Sequence, residues 1–385
     1  MVRQEKQPKR RNEIVDNKTA AEQMPESPQD RVLQEDLEQL IGHSASLLQK
    51  FQNKTVFVSG ATGLLGSQLV KALLCGNRML GTNCKVLALV RSEQKAEKVF
   101  GGLLMREDLE LVKGDIMHPV SYDGPVDYIV HGASATSSGY FVSNPVETIL
   151  TAVNGTVNIL EFAKAKQVDG FLYLSSLEVY GTPAADAGKI AESYGGYIDP
   201  LQVRSSYSEG KRMVECLCAS YASEYDVPVK IARLSQTFGA GVEYDDGRVF
   251  AEFARCVLEK KNIVLHTKGQ TVRSYCYTKD AIEAMLLILT EGERGAAYNV
   301  TNMDTKISIA DMAQLVCDTF PQAGIRVTFD MPENVAAFGY NPEMVIALDS
   351  ARLMALGWKP TVDLKEMFIR LADSMQIRKE MNKQL

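Results

Sequence analysis

The fold is decided by one segment near the start of the chain, Thr55-Val-Phe-Val-Ser-Gly60-Ala-Thr-Gly63-Leu-Leu-Gly66. Its first five residues have the length and apolar character of a buried strand, and a helical pattern begins directly after Gly66. Glycines at this spacing permit a tight turn, a close approach of backbone to a pyrophosphate, and close packing of the helix on the strand. The segment therefore predicts a strand, a turn and a helix whose N-terminus faces a dinucleotide; three glycines that serve only the turn are the alternative.

Short apolar runs and amphipathic segments alternate along the first half of the chain. Further strands are predicted at residues 85–90, 109–113, 126–130, 171–175 and 229–233, and helices at residues 67–75, 146–165 and 207–224. The first of these helices is predicted to end at Gly76. Repeated strand–helix units favour an α/β fold, a Rossmann-type doubly wound parallel sheet. After Gly239 the elements become shorter and mixed, which indicates a smaller mixed α/β C-terminal lobe that binds substrate.

The sequence divides into four parts. Residues 1–30 are polar and are predicted to be a disordered tail, because they cannot bury enough apolar surface to offset their ordering entropy. Residues 31–52 carry apolar side chains at helical spacing and are predicted to be an N-terminal helix. Residues 53–238 are expected to form the dinucleotide-binding Rossmann domain, and residues 239–385 mainly the substrate-binding lobe.

Composition excludes several classes of function. The 385 residues carry a net charge of −6, which gives no basic surface for nucleic acid or for an anionic membrane. No apolar run approaches the roughly 20 residues that cross a bilayer, and the N-terminus lacks the apolar stretch of a secretory signal. Seven cysteines without a Cys-x-x-Cys spacing argue against a disulfide framework and a zinc site, so no metal is expected. We therefore expect a cytoplasmic protein.

The choice between NAD and NADP depends on the residue at the end of the second strand. NAD-binding folds place an Asp or Glu there, which accepts from the ribose 2′-hydroxyl, but this chain has Val90, Arg91 and Ser92. Arg91 could face the 2′-phosphate of NADP or be a solvated charge. This position alone therefore does not decide between NAD and NADP. Asp115 and Ile116 follow the third strand and are predicted to contact the adenine, the first by a hydrogen bond and the second by packing.

Tyr207 and Lys211 lie four residues apart, which places a phenol and an ammonium on one face of a helix. A free tyrosine has a pKa near ~10 and is a weak base at neutral pH. We expect the Lys211 cation and the positive charge of the nicotinamide to lower the pKa of Tyr207, and Lys211 to hold the nicotinamide ribose. Ser175 and Ser176 end the fifth predicted strand, where ligands bind in open α/β sheets. Ser176 can then bond a substrate hydroxyl and share its proton with Tyr207.

Together these motifs resemble the extended short-chain dehydrogenase/reductase family, which comprises NAD-dependent epimerases, dehydratases and decarboxylases of nucleotide sugars. The resemblance runs from residue 53 to residue 375 and implies catalytic roles for Ser176, Glu178, Tyr207 and Lys211. It implies a cofactor side that consists of Gly60, Thr62, Gly63, Leu64, Leu65, Gly66, Arg91, Asp115, Ile116, Ala133, Asn154, Ser175, Tyr207 and Lys211. The implied cofactor is NAD, with NADP possible because of Arg91.

Within this family, the segments 207–212, 232–239, 246–249 and 269–273 look most like the UDP-glucuronate decarboxylase branch. The resemblance implies a substrate side that consists of Ser134, Gln236, Thr237, Arg248, Val249 and Arg273. Arg273 matches an arginine at the diphosphate, where a planar guanidinium suits phosphate oxygens. Three segments differ from the branch: Ser176-Leu177-Glu178 replaces Thr-Ser-Glu, Gln236 replaces Asn, and Val90-Arg91 replaces an acidic residue that binds the ribose. Gln236 lies where the substrate is expected, so the sugar can differ as well.

Glu178 helps to separate the possible reactions. In the similar 4,6-dehydratases an Asp-Glu pair follows the catalytic Ser or Thr, and one acid protonates the leaving C6 hydroxyl. Leu177 occupies the Asp position here and cannot donate a proton, which disfavours dehydration. A decarboxylase keeps the Glu and needs no such acid, because carbon dioxide departs unaided from a β-keto acid. We therefore predict a UDP-glucuronate decarboxylase-like carboxy-lyase. The alternatives are a 4-epimerase or 4,6-dehydratase of a UDP- or CDP-sugar, and a non-catalytic cofactor-binding regulator.

Assembly is implied only by the resemblance. Family members commonly dimerise through two helices, which correspond here to residues 146–165 and 207–224. A homodimer held by a four-helix bundle is therefore expected, with a nucleotide sugar as substrate and with no nucleic acid or membrane partner. No function is assigned to residues 1–50.

Overall fold

The computed structural model describes residues 23–134, 138–184, 186–331 and 343–382. The predicted tail up to residue 22 lies outside these ranges. Residues 23–30 depart from the prediction, because Glu26 is buried and its carboxylate pairs with Arg78 at 2.9 Å and with Arg106 at 3.3 Å. Arginines shielded from water need such a counter-charge. The prediction of a disordered tail is therefore wrong for residues 23–30.

The strands form two sheets and one small pair. They are β1 (Thr55–Ser59), β2 (Lys85–Val90), β3 (Leu109–Lys113), β4 (Tyr128–His131), β5 (Gly170–Ser176), β6 (Lys189–Ile190), β7 (Val229–Leu234), β8 (Gln236–Phe238), β9 (Ile263–Leu265), β10 (Val272–Tyr277), β11 (Ala297–Val300), β12 (Asn302–Ser308), β13 (Val327–Phe329) and β14 (Val345–Leu348). Seven of the strands described form the main sheet, in the order β11-β7-β5-β4-β1-β2-β3. All of its pairings are parallel, and the strand order reverses between β1 and β4. This confirms the predicted Rossmann-type doubly wound sheet, with its ligand crevice at the reversal point.

Helices cover both faces of the main sheet, and further helices belong to the smaller lobe. In chain order they are α1 (Arg31–His43), α2 (Ala45–Gln49), α3 (Leu64–Leu80), α4 (Glu93–Phe100), α5 (Ser138–Ser143), α6 (Pro145–Lys166), α7 (Ser205–Glu224), α8 (Val249–Glu259), α9 (Thr278–Glu291), α10 (Ile309–Thr319), α11 (Ala351–Met354) and α12 (Leu364–Asn382). Alternate residues of β1 divide between two apolar cores: Val56 and Val58 pack with residues of α3 and α9, and Phe57 packs with residues of α6 and α7. A strand buried on both faces explains why β1 is apolar throughout.

The second sheet belongs to the smaller lobe. Its order is β12-β10-β14-β6, and β8 also pairs with β10, which aligns Gln236 with Tyr275. Arg273 lies on the same strand as Tyr275 and aligns with Ile346 of β14. The expected mixed α/β lobe is therefore confirmed, and it brings three of the predicted substrate residues, Gln236, Thr237 and Arg273, onto one sheet.

The C-terminal half of the chain also contributes to the main sheet. β11 pairs with β7, and α9 packs against β5 and β7. This pairing covers a strand edge that would otherwise be free to pair with another chain. The predicted division at residue 239 is corrected accordingly: α9 and β11 belong with the Rossmann domain, and β6 from the first half belongs to the second sheet.

Gly76 does not end a helix as predicted. Helix α3 passes through Gly76 to Leu80 and stops at Gly81, whose φ of +67° is left-handed backbone that glycine adopts freely. A Cβ at Gly76 would lie 3.4 Å from Cδ1 of Leu48. This is an ordinary van der Waals distance to the end of a flexible side chain, so the packing of α3 against the N-terminal segment does not by itself require glycine at position 76.

The predicted N-terminal helix is two helices, α1 and α2, separated at Ser44. Its apolar face is buried in the same core as α3 and α9. Asp36 is also buried, pairs with Arg370 of α12 at 2.9 Å and accepts a hydrogen bond from Tyr277 at 2.5 Å. Residues 31–52 are therefore an integral part of the fold.

Candidate active site

The glycine turn leaves no room for side chains at two of its three glycines. Gly60 has a φ of +72°, and a Cβ there would lie 2.7 Å from the backbone carbon of Gly132. A Cβ at Gly66 would lie 2.2 Å from the carbonyl oxygen of Gly60. Gly63 caps α3, and among the described residues no side chain bonds the amides of the first helical turn. An exposed, uncapped helix N-terminus beside β1 suits a pyrophosphate, as the sequence predicts.

The adenosine side of the crevice carries a guanidinium. Nη1 of Arg91 lies 3.7 Å from Oδ2 of Asp115, and 78% of the Arg91 side chain is exposed. Oδ1 of Asp115 accepts from the amide of Met117 at 3.0 Å. Ile116 is buried against α6, where a Cβ at Gly155 would lie 2.5 Å from its Cδ1. Arg91 and Asp115 therefore lie side by side, and their contacts with a cofactor stay predictions.

The remaining predicted cofactor residues are distributed around this crevice. The amide of Ala133 donates to Oγ of Ser59 at 3.3 Å, which ties the end of β4 to the end of β1. Ser134 follows it, and Thr62, Leu64 and Leu65 lie on the glycine turn and first helical turn, partly exposed. Asn154 is exposed on α6, and its contact with a cofactor stays a prediction.

Tyr207 and Lys211 lie on α7 beneath the end of β5. The amine of Lys211 is buried, donates to the carbonyl of Leu174 at 2.7 Å and lies 5.7 Å from the centre of the Tyr207 ring. That ring is stacked on Phe141 of α5, with 4.2 Å between the centres. Helical spacing therefore brings the phenol and the amine together as predicted.

The predicted lowering of the Tyr207 pKa is wrong for the chain alone. Burial raises the pKa of Tyr207 to about 12, and a hydrogen bond with Ser176 and the charges of Arg204 and Arg248 only partly oppose this. Burial also lowers the pKa of Lys211 to about 8, which weakens its cation at neutral pH. The cost of burying a charged group exceeds the effect of the neighbouring amine at this distance.

Ser175 and Ser176 end β5 but have different surroundings. Ser175 is buried and donates to Glu215, whose carboxylate pairs with Arg233 at 2.7 Å. Ser176 caps the short 3-10 turn at Leu177–Tyr180, and its Oγ accepts from the amide of Glu178 at 3.3 Å. Of the two, Ser176 is therefore the hydroxyl next to Tyr207.

Glu178 is held in an ion pair that the sequence did not predict. Arg204 donates to both of its carboxylate oxygens, at 2.9 Å and 3.0 Å, and Ser208 donates a further hydrogen bond at 3.0 Å. Burial alone would raise the pKa of Glu178, but the hydrogen bonds from Arg204 and the charges of Arg204 and Arg273 bring it below its ordinary value. Glu178 is therefore an ionised carboxylate at neutral pH.

Five of the six predicted substrate residues lie in the second sheet or at the start of α8. Thr237 is buried next to the partly buried Gln236, and Arg248 precedes Val249 at the start of α8. Arg248 pairs with Asp246 at 2.6 Å. The charge of Arg248 acts on Tyr207 and that of Arg273 acts on Glu178, so both guanidinium groups lie near the catalytic residues.

Three residues that contact Tyr207 or Glu178 were not predicted from the sequence: Phe141, Arg204 and Ser208. Arg204 and Ser208 contact Glu178, and Phe141 covers the ring of Tyr207. A signal for Arg204 was available, because a shielded carboxylate needs a partner and Arg204 lies one helical turn before Tyr207. Phe141 gives no comparable signal, since its contact depends on how α5 folds back.

Known proteins resemble this chain in sequence. Residues 56–302 match the model of the NAD dependent epimerase/dehydratase family. UDP-glucuronic acid decarboxylase 6 of Arabidopsis thaliana is 30% identical over 330 residues, which are 85% of this chain and 90% of that protein. The family match includes the glycine turn, Ser176, Tyr207 and Lys211.

Solved structures share the fold. An epimerase from Methanothermobacter thermautotrophicus has a TM-score of 0.73 at 19% identity, covering 89% of this chain and 98% of its own. A dTDP-glucose 4,6-dehydratase from Bacillus anthracis, solved in complex with NAD, has a TM-score of 0.67 at 18% identity, covering 86% of this chain and 98% of its own. At these sequence identities, the structural similarity is evidence for the fold alone.

Proposed function

Because the chain belongs to the NAD dependent epimerase/dehydratase family, we propose that it decarboxylates a nucleotide-linked uronic acid, with UDP-glucuronate as the first substrate to test. The observation that carries this proposal is the pair of residues after Ser176. Leu177 is buried in an apolar cluster, and Glu178 is held ionised by Arg204. Neither side chain can give a proton to a leaving hydroxyl, which disfavours dehydration. Decarboxylation and 4-epimerisation both need no such donor, but an epimerase would leave Glu178 without a role, so decarboxylation is favoured.

The residues of the crevice fit a dinucleotide. The turn at Gly60 and Gly66 has no space for a Cβ, and the amides at the start of α3 are free of side-chain caps. In this proposal the turn holds the pyrophosphate, Asp115 and Ile116 hold the adenine, and Lys211 holds the nicotinamide ribose. When bound, NAD⁺ supplies an acceptor for the hydride of C4, a positive charge that favours phenolate, and the same hydride at the end of the cycle.

In this proposal, side chains of the protein carry out the proton transfer at the C4 hydroxyl. Oη of Tyr207 takes the proton of the C4 hydroxyl, which Ser176 orients, and the charges of Arg204 and Arg248 favour the phenolate. The C4 ketone makes the C6 carboxylate a β-keto acid, so the C5–C6 bond breaks and carbon dioxide leaves. C5 then takes up one proton from solvent, and Tyr207 returns its proton to the C4 oxygen. The net change is the loss of carbon dioxide and the gain of one proton.

The mass of the product separates the candidate reactions. We expect UDP-glucuronate, incubated with the protein and NAD or NADP, to give a UDP-pentose lighter by one carbon dioxide. UDP-glucose as substrate would reveal an epimerase by a product of unchanged mass, or a dehydratase by a product lighter by one water. No product from any UDP- or CDP-sugar with either cofactor would contradict the proposal and favour a cofactor-binding regulator.

We propose in addition that the chain forms a homodimer through α6 and α7. These two helices pack on each other and expose large apolar side chains, on α6 Val146, Ile149 and Leu150 and on α7 Met213. Val146 is 61% exposed. An apolar surface shared by two adjacent helices is suited to burial against its own copy in a four-helix bundle.

Ile149→Glu is expected to convert the dimer to a monomer, because a like charge from each copy would be buried in the shared core. Light scattering coupled to gel filtration measures the mass directly. Met354→Glu, at an exposed methionine of α11 away from both helices, is the control and should stay dimeric. A dimer that survives Ile149→Glu would place the interface elsewhere.

A cytoplasmic location is also proposed. The seven cysteines all lie in the described ranges, and each is a free thiol. Free thiols are the usual state in a reducing compartment. Within the residues that were placed, no helix is long and apolar enough to cross a membrane.

A further inference from the structure

Arg204 and Glu178 form a bidentate ion pair at the edge of the catalytic site. Nη1 of Arg204 lies 3.0 Å from Oε2 of Glu178, and Nη2 lies 2.9 Å from Oε1. Ser208 donates a third hydrogen bond to Oε2 at 3.0 Å. Both side chains are largely shielded, with 24% of Arg204 and 20% of Glu178 exposed. Such two-point pairing fixes the plane of the carboxylate as well as its position.

This pair acts on the catalytic tyrosine. Arg204 lies at the N-terminus of α7, three residues before Tyr207, and Glu178 lies two residues after Ser176. The negative charge of Glu178 raises the pKa of Tyr207, and the positive charge of Arg204 lowers it. The two charges therefore oppose each other at the phenol, and removing either one leaves the other uncompensated.

The backbone of the turn that carries Glu178 is held by a different arginine. Nε of Arg212 donates to the carbonyl of Val179 at 2.7 Å, and its Nη2 donates to the carbonyl of Gly196 at 2.6 Å. Arg204 instead directs its two terminal nitrogens at the Glu178 carboxylate. The contribution of Arg204 is therefore to the carboxylate and its charge.

We propose that Arg204 is a positioning residue that keeps Glu178 as a fixed, ionised hydrogen-bond acceptor and shields Tyr207 from its negative charge. The inference rests on the proposed function and deepens it, since it removes Glu178 from the possible proton donors. An ionised carboxylate can accept from a sugar hydroxyl but has no proton to give. Among the described residues, the other polar, titratable or charged groups near Glu178 or Tyr207 are Tyr173, Ser176, Ser208, Lys211, Arg248 and Arg273.

Two substitutions are expected to move the pH dependence of kcat in opposite directions. The acid limb of this profile reports Tyr207 as the base. Arg204→Gln leaves the Glu178 charge uncompensated, so the limb moves to higher pH. Glu178→Gln leaves Arg204 uncompensated, so the limb moves to lower pH. We also expect kcat of Arg204→Gln to fall about 10²-fold at its optimum, with a much smaller change in KM, because Glu178 loses its position.

Arg204→Lys and Arg352→Gln are the matched variants. Lysine keeps the charge without the two-point geometry, so Arg204→Lys should restore the acid limb and only part of kcat. Arg352 pairs with Glu293 at 3.0 Å on an exposed surface, and its loss should change neither quantity. Should Arg204→Gln fail to fold, Glu178→Gln and Arg204→Lys still test the proposal. Acid limbs that coincide with that of the wild type in all variants would overturn it.

The Glu178 carboxylate also gives a readout that needs no turnover. In protein with carbon-13 at the glutamate carboxyl groups, the NMR signal that disappears in Glu178→Gln identifies Glu178. We expect this signal to titrate below the ordinary glutamate range in the wild type and at higher pH in Arg204→Gln. An unchanged midpoint would overturn the role of Arg204. A raised midpoint in a protein that decarboxylates no nucleotide sugar would support that role and overturn the proposed function alone.

Discussion

Tyr207→Phe is expected to lower kcat by about 10³-fold and to leave the fold and the binding of dinucleotide unchanged. The substitution removes the oxygen that takes the C4 proton. The ring keeps its stack on Phe141, 4.2 Å away, so the packing of α7 against α5 is retained. Because only the proton-transfer group is lost, the effect falls on kcat and not on thermal stability.

The measurement compares kcat and KM for UDP-glucuronate, the dissociation constant of the dinucleotide by calorimetry, and Tm. Tyr225→Phe is the control, since Tyr225 directly follows the last residue of α7 and is half-exposed, far from the catalytic turn. It should behave as the wild type. If Tyr207→Phe retained the wild-type kcat, Tyr207 would have no part in the chemistry.

Gly66→Ala is expected to destabilise the protein by about 3 kcal/mol and to abolish dinucleotide binding. The added Cβ would lie 2.2 Å from the carbonyl oxygen of Gly60, and this neighbour is backbone, which cannot rotate away. The turn and the start of α3 must therefore move apart. Both the packing of α3 on β1 and the phosphate site depend on that contact.

Thermal unfolding and a dinucleotide titration measure these two losses. Gly42→Ala is the matched control, because Gly42 is also a helical glycine but a Cβ there would meet nothing within 4 Å. Replacing it should stabilise the protein by up to about 1 kcal/mol. A Gly66→Ala protein with wild-type stability and affinity would show that the close approach at Gly66 does not shape the site.

Local patterns predicted the main sheet well. β1, β2 and β3 begin and end where the sequence predicts. β1 and β2 are buried along almost their whole length, and strands buried on both faces are recognised as nearly continuous apolar runs. The glycine turn could also be predicted from its sequence, because Gly60 and Gly66 occupy positions that leave no room for a Cβ. By contrast, β11 could not be assigned to the main sheet from its own residues. Three strands that lie outside the main sheet, β8, β9 and β10, separate it from β7 in the chain.

The charged parts of the site were less predictable. Arg204 reaches Glu178 across 26 positions of sequence. Its position one helical turn before Tyr207 indicated a place near the site but did not identify Glu178 as its partner. Glu26 looked like part of a polar tail because its two arginine partners come from distant segments. The pKa of Tyr207 depends on burial by Phe141 and other neighbours more than on the helical spacing of Lys211, so the spacing alone gave the wrong sign. Long-range packing decides the electrostatics here.

Transient oxidation at C4 is the central claim, and deuterium at that carbon tests it most directly. UDP-glucuronate that carries deuterium at C4 is incubated with the wild-type protein, and the product is analysed by mass spectrometry and NMR. We expect a UDP-pentose that has lost carbon dioxide and kept its deuterium at C4, with a slower turnover than for the unlabelled substrate. A product that keeps all of its carbon would contradict the account. So would a UDP-pentose that forms at the same rate from labelled and unlabelled substrate.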